Sequence, residues 1–192
     1  MKKTSRLHRH LLGVVAISSV LVRGVAEAHA DPQVSSTSSS QASVTVGKYI
    51  TDMRQMTFVG PRAGEGYFSQ DGKLLLFQSE RETDNPFYQI YVLDRETGKT
   101  VRVSPGPGKT TCAWVHPSKT KAMFSSTHLD PKLKEVTQKE WDDRKNPVKG
   151  KYSWSFDENF DLFEAPIAGA LKTGKPVDGK SLKRLTKEVG YD

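Results

Sequence analysis

Cysteine is almost missing from this chain: Cys112 is the only one among 192 residues. No disulfide can form within the chain, so its stability has to come from packing. A lone cysteine in an apolar stretch such as residues 111–115 is expected to be a small buried hydrophobe. A reactive thiol there would need a neighbouring base, and the sequence supplies none. Histidine is also scarce beyond residue 30, where only His116 and His128 remain. Neither sits in an HExxH arrangement, and without a second cysteine the ligands of a transition-metal site are missing. No apolar run approaches the roughly twenty residues of a membrane span; the run at 11–22 is interrupted by Gly13, Ser18 and Ser19. An excess of one charge is lacking too. The formal net charge is +7, but Lys2, Lys3, Arg6, Arg9 and Arg23 face only Glu27 in the first thirty residues. The rest carries 24 basic against 21 acidic side chains, or +3. That is an ordinary solvated surface and argues against a nucleic-acid partner.

What the N-terminus does contain is an export signal. A basic start precedes the short apolar run, and Ala28-His29-Ala30 offers the small-x-small pattern of a signal-peptidase site. Cleavage after Ala30, with an uncleaved N-terminal anchor as the alternative, is expected to place the mature protein in the periplasm or outside the cell, with no membrane span left. No cysteine follows the apolar run, which argues against a lipid anchor. Residues 31–48 are rich in Ser, Thr and Gln, bury too little to offset the entropy of ordering, and read as a flexible leader. The folded part is expected over 49–192.

An internal repeat organises that part. Shifted by 47 positions, GEGYFSQDGKLLLFQSER (64–81) falls without a gap on residues 111–128 of the segment TTCAWVHPSKTKAMFSSTH (110–128). Tyr67 meets Trp114, Leu76 meets Met123, Phe77 meets Phe124 and Ser79 meets Ser126. A period in the forties is the length of one four-stranded propeller blade. Short apolar runs bounded by turn residues predict strands near 64–69, 73–79, 88–94 and 99–104, with Asp71-Gly72 as a hairpin signal. The second blade, near 110–186, repeats the order with two insertions. Residues 161–165 match the third strand and 181–186 the fourth. The first insertion is charged over 131–146 and is expected to form a short exposed helix, with Leu133, Val136 and Trp141 near one side. The second, 169–179, bears Gly and Pro and reads as a loop. The fold class is therefore all-β: propeller blades of four antiparallel strands, in an incomplete ring.

An aromatic, a Ser-x-Asp-Gly turn, a strand ending in Phe-x-Ser-x-Arg, an IYVLD strand followed by Thr-Gly, and a closing RLT strand resemble the WD-repeat-like blades of the TolB family, over roughly 54–192. The resemblance implies a ring of about six blades, which 162 residues cannot build. Residues 54–57 read like a fourth strand with no blade before it, and 190–192 stand where a next blade begins. The chain is therefore expected to be part of a larger ring. Two departures stand out: Gln70 takes the place usual for proline, and His116-Pro117-Ser118-Lys119 lacks the Asp-Gly pair, so the second blade's first hairpin turn is open to a different geometry.

Other motifs fail on context. Gly106-Pro107-Gly108-Lys109-Thr110 resembles the end of a phosphate-binding loop, but Val103 stands where its first glycine is needed and a strand follows. The glycines of 60–66 also lead into a strand, which removes a dinucleotide fingerprint. His116 reads as a turn residue and His128 as a strand-end residue at a channel or rim. Asp157, Glu158 and Asp161 offer oxygen ligands of the kind calcium takes, with a solvated turn as the alternative. The aromatics Tyr67, Phe77, Tyr91, Trp114, Phe124 and Phe163 occupy repeat positions and are expected to pack between blades. Trp141 and Trp154 fall in the insertion, as a partner contact or an edge cover. No residue can be singled out as catalytic, cofactor-binding or metal-binding, and no cofactor or small-molecule ligand is assigned.

Two function classes remain. One is a non-catalytic exported scaffold; its resemblance to the TolB family implies protein partners at the cell envelope. The other is the N-terminal propeller of a larger secreted peptidase or hydrolase, whose chemistry would lie beyond residue 192.

Overall fold

The computed structural model describes residues 44–46, 49–147 and 156–191. The stretch expected to be an export signal, most of the expected leader and Trp154 lie outside the described residues. β1 (Val44–Val46) and β2 (Ile50–Met53) form an antiparallel hairpin that is a unit of its own. β1 falls within the stretch expected as flexible leader. The second unit begins at Arg54. Residues 54–57, expected as an isolated fourth strand, join no ladder. Gln55 Nε2 instead donates to the carbonyl of Thr57 two residues on (2.7 Å).

The second unit holds two antiparallel sheets of four strands each. The first is β3 (Arg62–Phe68), β4 (Leu74–Glu80), β5 (Gln89–Asp94) and β6 (Thr100–Arg102), paired in chain order. The second is β7 (Thr110–Val115), β8 (Lys121–Ser126), β9 (Asn159–Pro166) and β10 (Lys183–Arg184). β11 (Gly190–Tyr191) pairs in parallel with the start of β9. The predicted strands match these closely. α1 (Leu133–Lys145) occupies the first insertion, as expected. The second insertion, read as a loop, contains the short helix α2 (Ala168–Thr173). Its signal is local: Gly174 takes φ +72° as the left-handed residue that ends it.

The repeat extends to single hydrogen bonds. Ser69 N donates to Leu74 O (2.8 Å) and Gly72 N to Ser69 O (2.8 Å); 47 residues on, His116 N donates to Lys121 O (2.9 Å) and Lys119 N to His116 O (2.7 Å). The second turn therefore has the geometry of the first, although it lacks Asp-Gly. Lys119 accepts φ +57° where Gly72 has +69°. Both inner strands also carry a bulge at the same place, with Glu65 at φ +43° and Cys112 at +53°. At the far edge, Ile90 N donates to Ser104 Oγ (3.0 Å) and Leu162 N to Thr186 Oγ1 (2.9 Å). Each hydroxyl donates in turn to the buried polar side chain one residue before, Gln89 or Asp161.

Strand alternation gives each sheet two faces. Leu74, Leu76, Ile90 and Val92 of the first sheet share one buried cluster with Ala122, Phe124, Phe163 and Ala165 of the second. Ala122 and Phe124 are the repeat counterparts of Leu75 and Phe77, which lie on the opposite face of the first sheet in a separate cluster. The sheets therefore stack face to back in one sense, as successive propeller blades do, rather than mirror-fashion as in a sandwich. On the outer face of the first sheet, the Arg81 guanidinium covers Phe77 and Tyr91 (5.1 and 4.7 Å to the ring centres).

Candidate functional site

The order of strands brings three connections to one end of the blades: residues 81–88 between β4 and β5, 103–109 between β6 and β7, and the long insertion between β8 and β9. Two buried amides shape the middle one. Asn85 Nδ2 donates to the carbonyls of Gly106 and Gly108, the latter at 3.0 Å. Gln89 Nε2 donates to Gly108 O (2.8 Å), while its Oε1 accepts from Ser104 Oγ (2.6 Å) and Gly106 N (3.0 Å). Gly108 sits at φ +78°, and a Cβ there would lie 3.0 Å from the backbone of His128. Only glycine lets this loop pass the root of the insertion. The stretch that resembles a phosphate loop is thus a pinned inter-blade connection that leads into β7.

Between these connections and α1 lies a cavity of about 550 Å³. Trp141 and Leu133 of α1 and Pro105 and Pro107 of the loop supply its apolar lining. Its charged lining is Glu82, Asp84, Arg102 and Lys134. Glu82 is engaged: it accepts from Tyr91 Oη (2.7 Å) and pairs with Arg102 Nε (3.2 Å). Burial, then the Glu82 bond, push the Tyr91 phenol well above its ordinary range, so it stays a donor. Asp84 is exposed and its carboxylate has no partner among the described residues; the indole N–H of Trp141 likewise has none.

α1 is fixed beside this recess by Glu80. The Glu80 side chain is only 6% exposed and accepts from Arg62 and Arg144 together. Burial raises the carboxyl, but the hydrogen bonds from Arg144 and Arg62 outweigh it and hold the group below the ordinary carboxylate range. The Glu80 bond in turn pushes the Arg144 guanidinium above its usual value.

The residues singled out from sequence are dispersed. His116 lies in the β7–β8 turn, where its Nδ1 accepts from Ser118 N (3.1 Å). His128 is half-buried against Phe163, with ring centres 4.4 Å apart and Nδ1 at 2.9 Å from Ser126 Oγ. Of the acidic trio, Asp157 pairs with Lys109 (3.0 Å) and Asp161 with Arg184. Among the described residues no group of three metal-ligating side chains occurs. Cys112 is not buried as expected: the bulge at φ +53° takes it out of the strand's alternation, and it is exposed at 3.7 Å from Glu65 Oε2. Phe77, Tyr91, Phe124 and Phe163 are buried as repeat-position aromatics, but Tyr67 and Trp114 remain 42% and 47% exposed on the inner strands.

Of the lining residues, the sequence singles out Trp141 and, within the failed phosphate-loop pattern, Pro107, but not Asp84 or Pro105. The usable signal was topological: a helix inserted between a second and a third strand must rise at the end where the fourth-to-first connection also lies.

No protein-family profile matches the chain, and no curated protein does. Among solved structures, a protein described as TolB from Agrobacterium tumefaciens is 18% identical with a TM-score of 0.40, over 69% of this chain and 33% of that one. The tricorn protease is 12% identical with a TM-score of 0.41, over 66% of this chain and 13% of that one. The chain spans a third or less of either neighbour's length. The assignment of its sheets as blades rests on the repeated hydrogen bonds and the face-to-back stacking.

Proposed function

We propose that this chain is part of an exported TolB-like propeller scaffold without catalytic chemistry of its own. In this reading a protein partner is bound in the recess between α1 and the inter-blade loops. The observation that carries the reading is the lining of the recess. An indole, two prolines and a carboxylate surround an open cavity of about 550 Å³; among the described residues that carboxylate has no partner, and no nucleophile is paired there with a base. Aromatic and proline surfaces bury area at low entropic cost, and a free carboxylate at the rim selects orientation. The leader sequence supports action in the periplasm or outside the cell. No helix among the described residues is long and apolar enough to cross a membrane.

The test is site-specific photo-crosslinking of the exported protein in its own host, with the crosslinker at Gln138 on the rim. A discrete protein adduct is expected, lost in the Trp141→Ala/Asp84→Ala double variant. The absence of any adduct at Gln138, or an adduct unaffected by the double variant, removes the recess as the partner site.

A further inference from the structure

The helix that walls the recess is attached in a way that allows release. α1 has no buried residue, so little apolar area holds it down. It supports its own helical form through pairs four apart: Lys139 with Asp143, Arg144 with Glu140, and Gln138 with Asp142. At its N-terminal root, Lys132 N donates to Asp130 Oδ1 (2.7 Å) and Leu133 N to Asp130 O (3.1 Å), with Asp130 buried. At its far end Arg144 reaches the first sheet by two parallel bonds, Nη2 to Glu80 Oε1 (2.9 Å) and Nη1 to Oε2 (3.2 Å).

Glu80 has a second cation of its own. Arg62, on the neighbouring strand of the same sheet, also binds both carboxylate oxygens. Removing the only partner of a buried charge is normally costly, because the charge is left uncompensated. Here the departure of Arg144 leaves Glu80 still paired. A buried carboxylate with one resident and one visiting arginine is the chemistry of a latch.

We propose that α1 is a latched arm of the recess: the Arg144–Glu80 bridge holds Trp141 in place as its wall, and release of that bridge lets the intact helix swing about Asp130–Lys132. This regulation rests on the reading of the recess as the partner site. The helix is about 20 Å long, so a swing of roughly 30° carries its C-terminal end about 10 Å. Arg144 is partly exposed, so salt loosens the latch.

The test measures the arm without any partner. In a Cys112→Ser background, nitroxide labels at Lys145→Cys and Lys99→Cys report the distance between the end of α1 and the far turn of the first sheet by pulsed electron resonance. The latched protein is expected to give one narrow distribution. Arg144→Ala adds a population displaced by about 10 Å, as does 1 M salt in the unsubstituted latch, while Arg62→Ala leaves the narrow distribution intact. A single unchanged distribution in both Arg144→Ala and 1 M salt overturns the latch. So does an equal broadening by Arg62→Ala, which would mark a strut of the whole sheet. If the arm moves but Gln138 crosslinks to nothing, the partner reading falls and the latch stands; a fixed arm with Trp141-dependent crosslinking gives the reverse.

Discussion

Phe124 joins the two blades, and its truncation tests whether they fold as one body. The side chain is fully buried, sits opposite Phe163 across β8 and β9, and belongs to the cluster that includes Leu74, Leu76, Ile90 and Val92 of the first sheet. Phe124→Ala removes six heavy atoms from a site enclosed on both sides. Phenylalanine truncations of this kind cost about 3–5 kcal/mol, the transfer loss plus the cavity that neighbours cannot fill. A domain has about 5–15 kcal/mol in all, so the variant gives up a large share of it. With a urea slope of about 2 kcal/mol per M, a loss of 4 kcal/mol lowers the unfolding midpoint by about 2 M. The counterpart Phe77 is 3% exposed, but its face borders a solvent-open hollow between residues 55–59 and Arg81. Neighbours there can relax, so Phe77→Ala is expected to lie at the lower end of that range. Hydrogen exchange read by peptide locates the effect of Phe124→Ala. Because the shared face is lost, β4–β5 and β8–β9 should lose protection together. If β4–β5 keeps its original protection while β8–β9 loses it, the blades are independent and the account of the core is wrong.

Three smaller tests address local geometry. Cys112→Gly is expected to exceed Cys112→Ala in stability by about 1 kcal/mol, since only glycine accepts the left-handed bulge at φ +53° without strain; equal midpoints in urea would deny that strain. Gly108→Ala combines a forbidden φ with a Cβ pressed on the His128 backbone and should cost about 1–3 kcal/mol, read as a fall in thermal midpoint. His128 tests linkage: burial first, then the Arg184 charge, lower its pKa below the usual 6.5 against an opposing pull from Asp161. The unfolded chain then takes up a proton before the folded one, so stability falls as pH drops through 6.5 and levels off below the folded pKa. His128→Gln should flatten that slope between pH 7.5 and 5.5, and an unchanged slope would assign it to other groups.

The parts legible in the sequence are those governed by period and turn chemistry. The 47-residue offset aligns the first two strands of each blade because strand alternation forces equivalent residues to equivalent faces; apolar runs bounded by turn residues marked the remaining strands, and the charge of the first insertion its helix. Where the reading failed, the cause is that backbone geometry outlasts the residues that first signal it. His116-Pro117-Ser118-Lys119 keeps the turn of Ser69–Gly72 because the flanking ladder imposes it, so Lys119 is driven into the left-handed region without a glycine to announce it. The bulge that exposes Cys112 is invisible for the same reason: it appears as a cysteine inside an apolar run, and only its repeat partner Glu65, equally left-handed, shows that the position belongs to the fold. The recess was hidden for a different reason. Asp84, Pro105 and Trp141 are far apart in sequence, and none belongs to a motif. They converge because second-to-third and fourth-to-first connections leave a meander at the same end. A site built from connections is therefore predictable from strand order alone once blades are recognised, which makes the long insertion between β8 and β9, rather than any conventional motif, the part of this sequence that points to function.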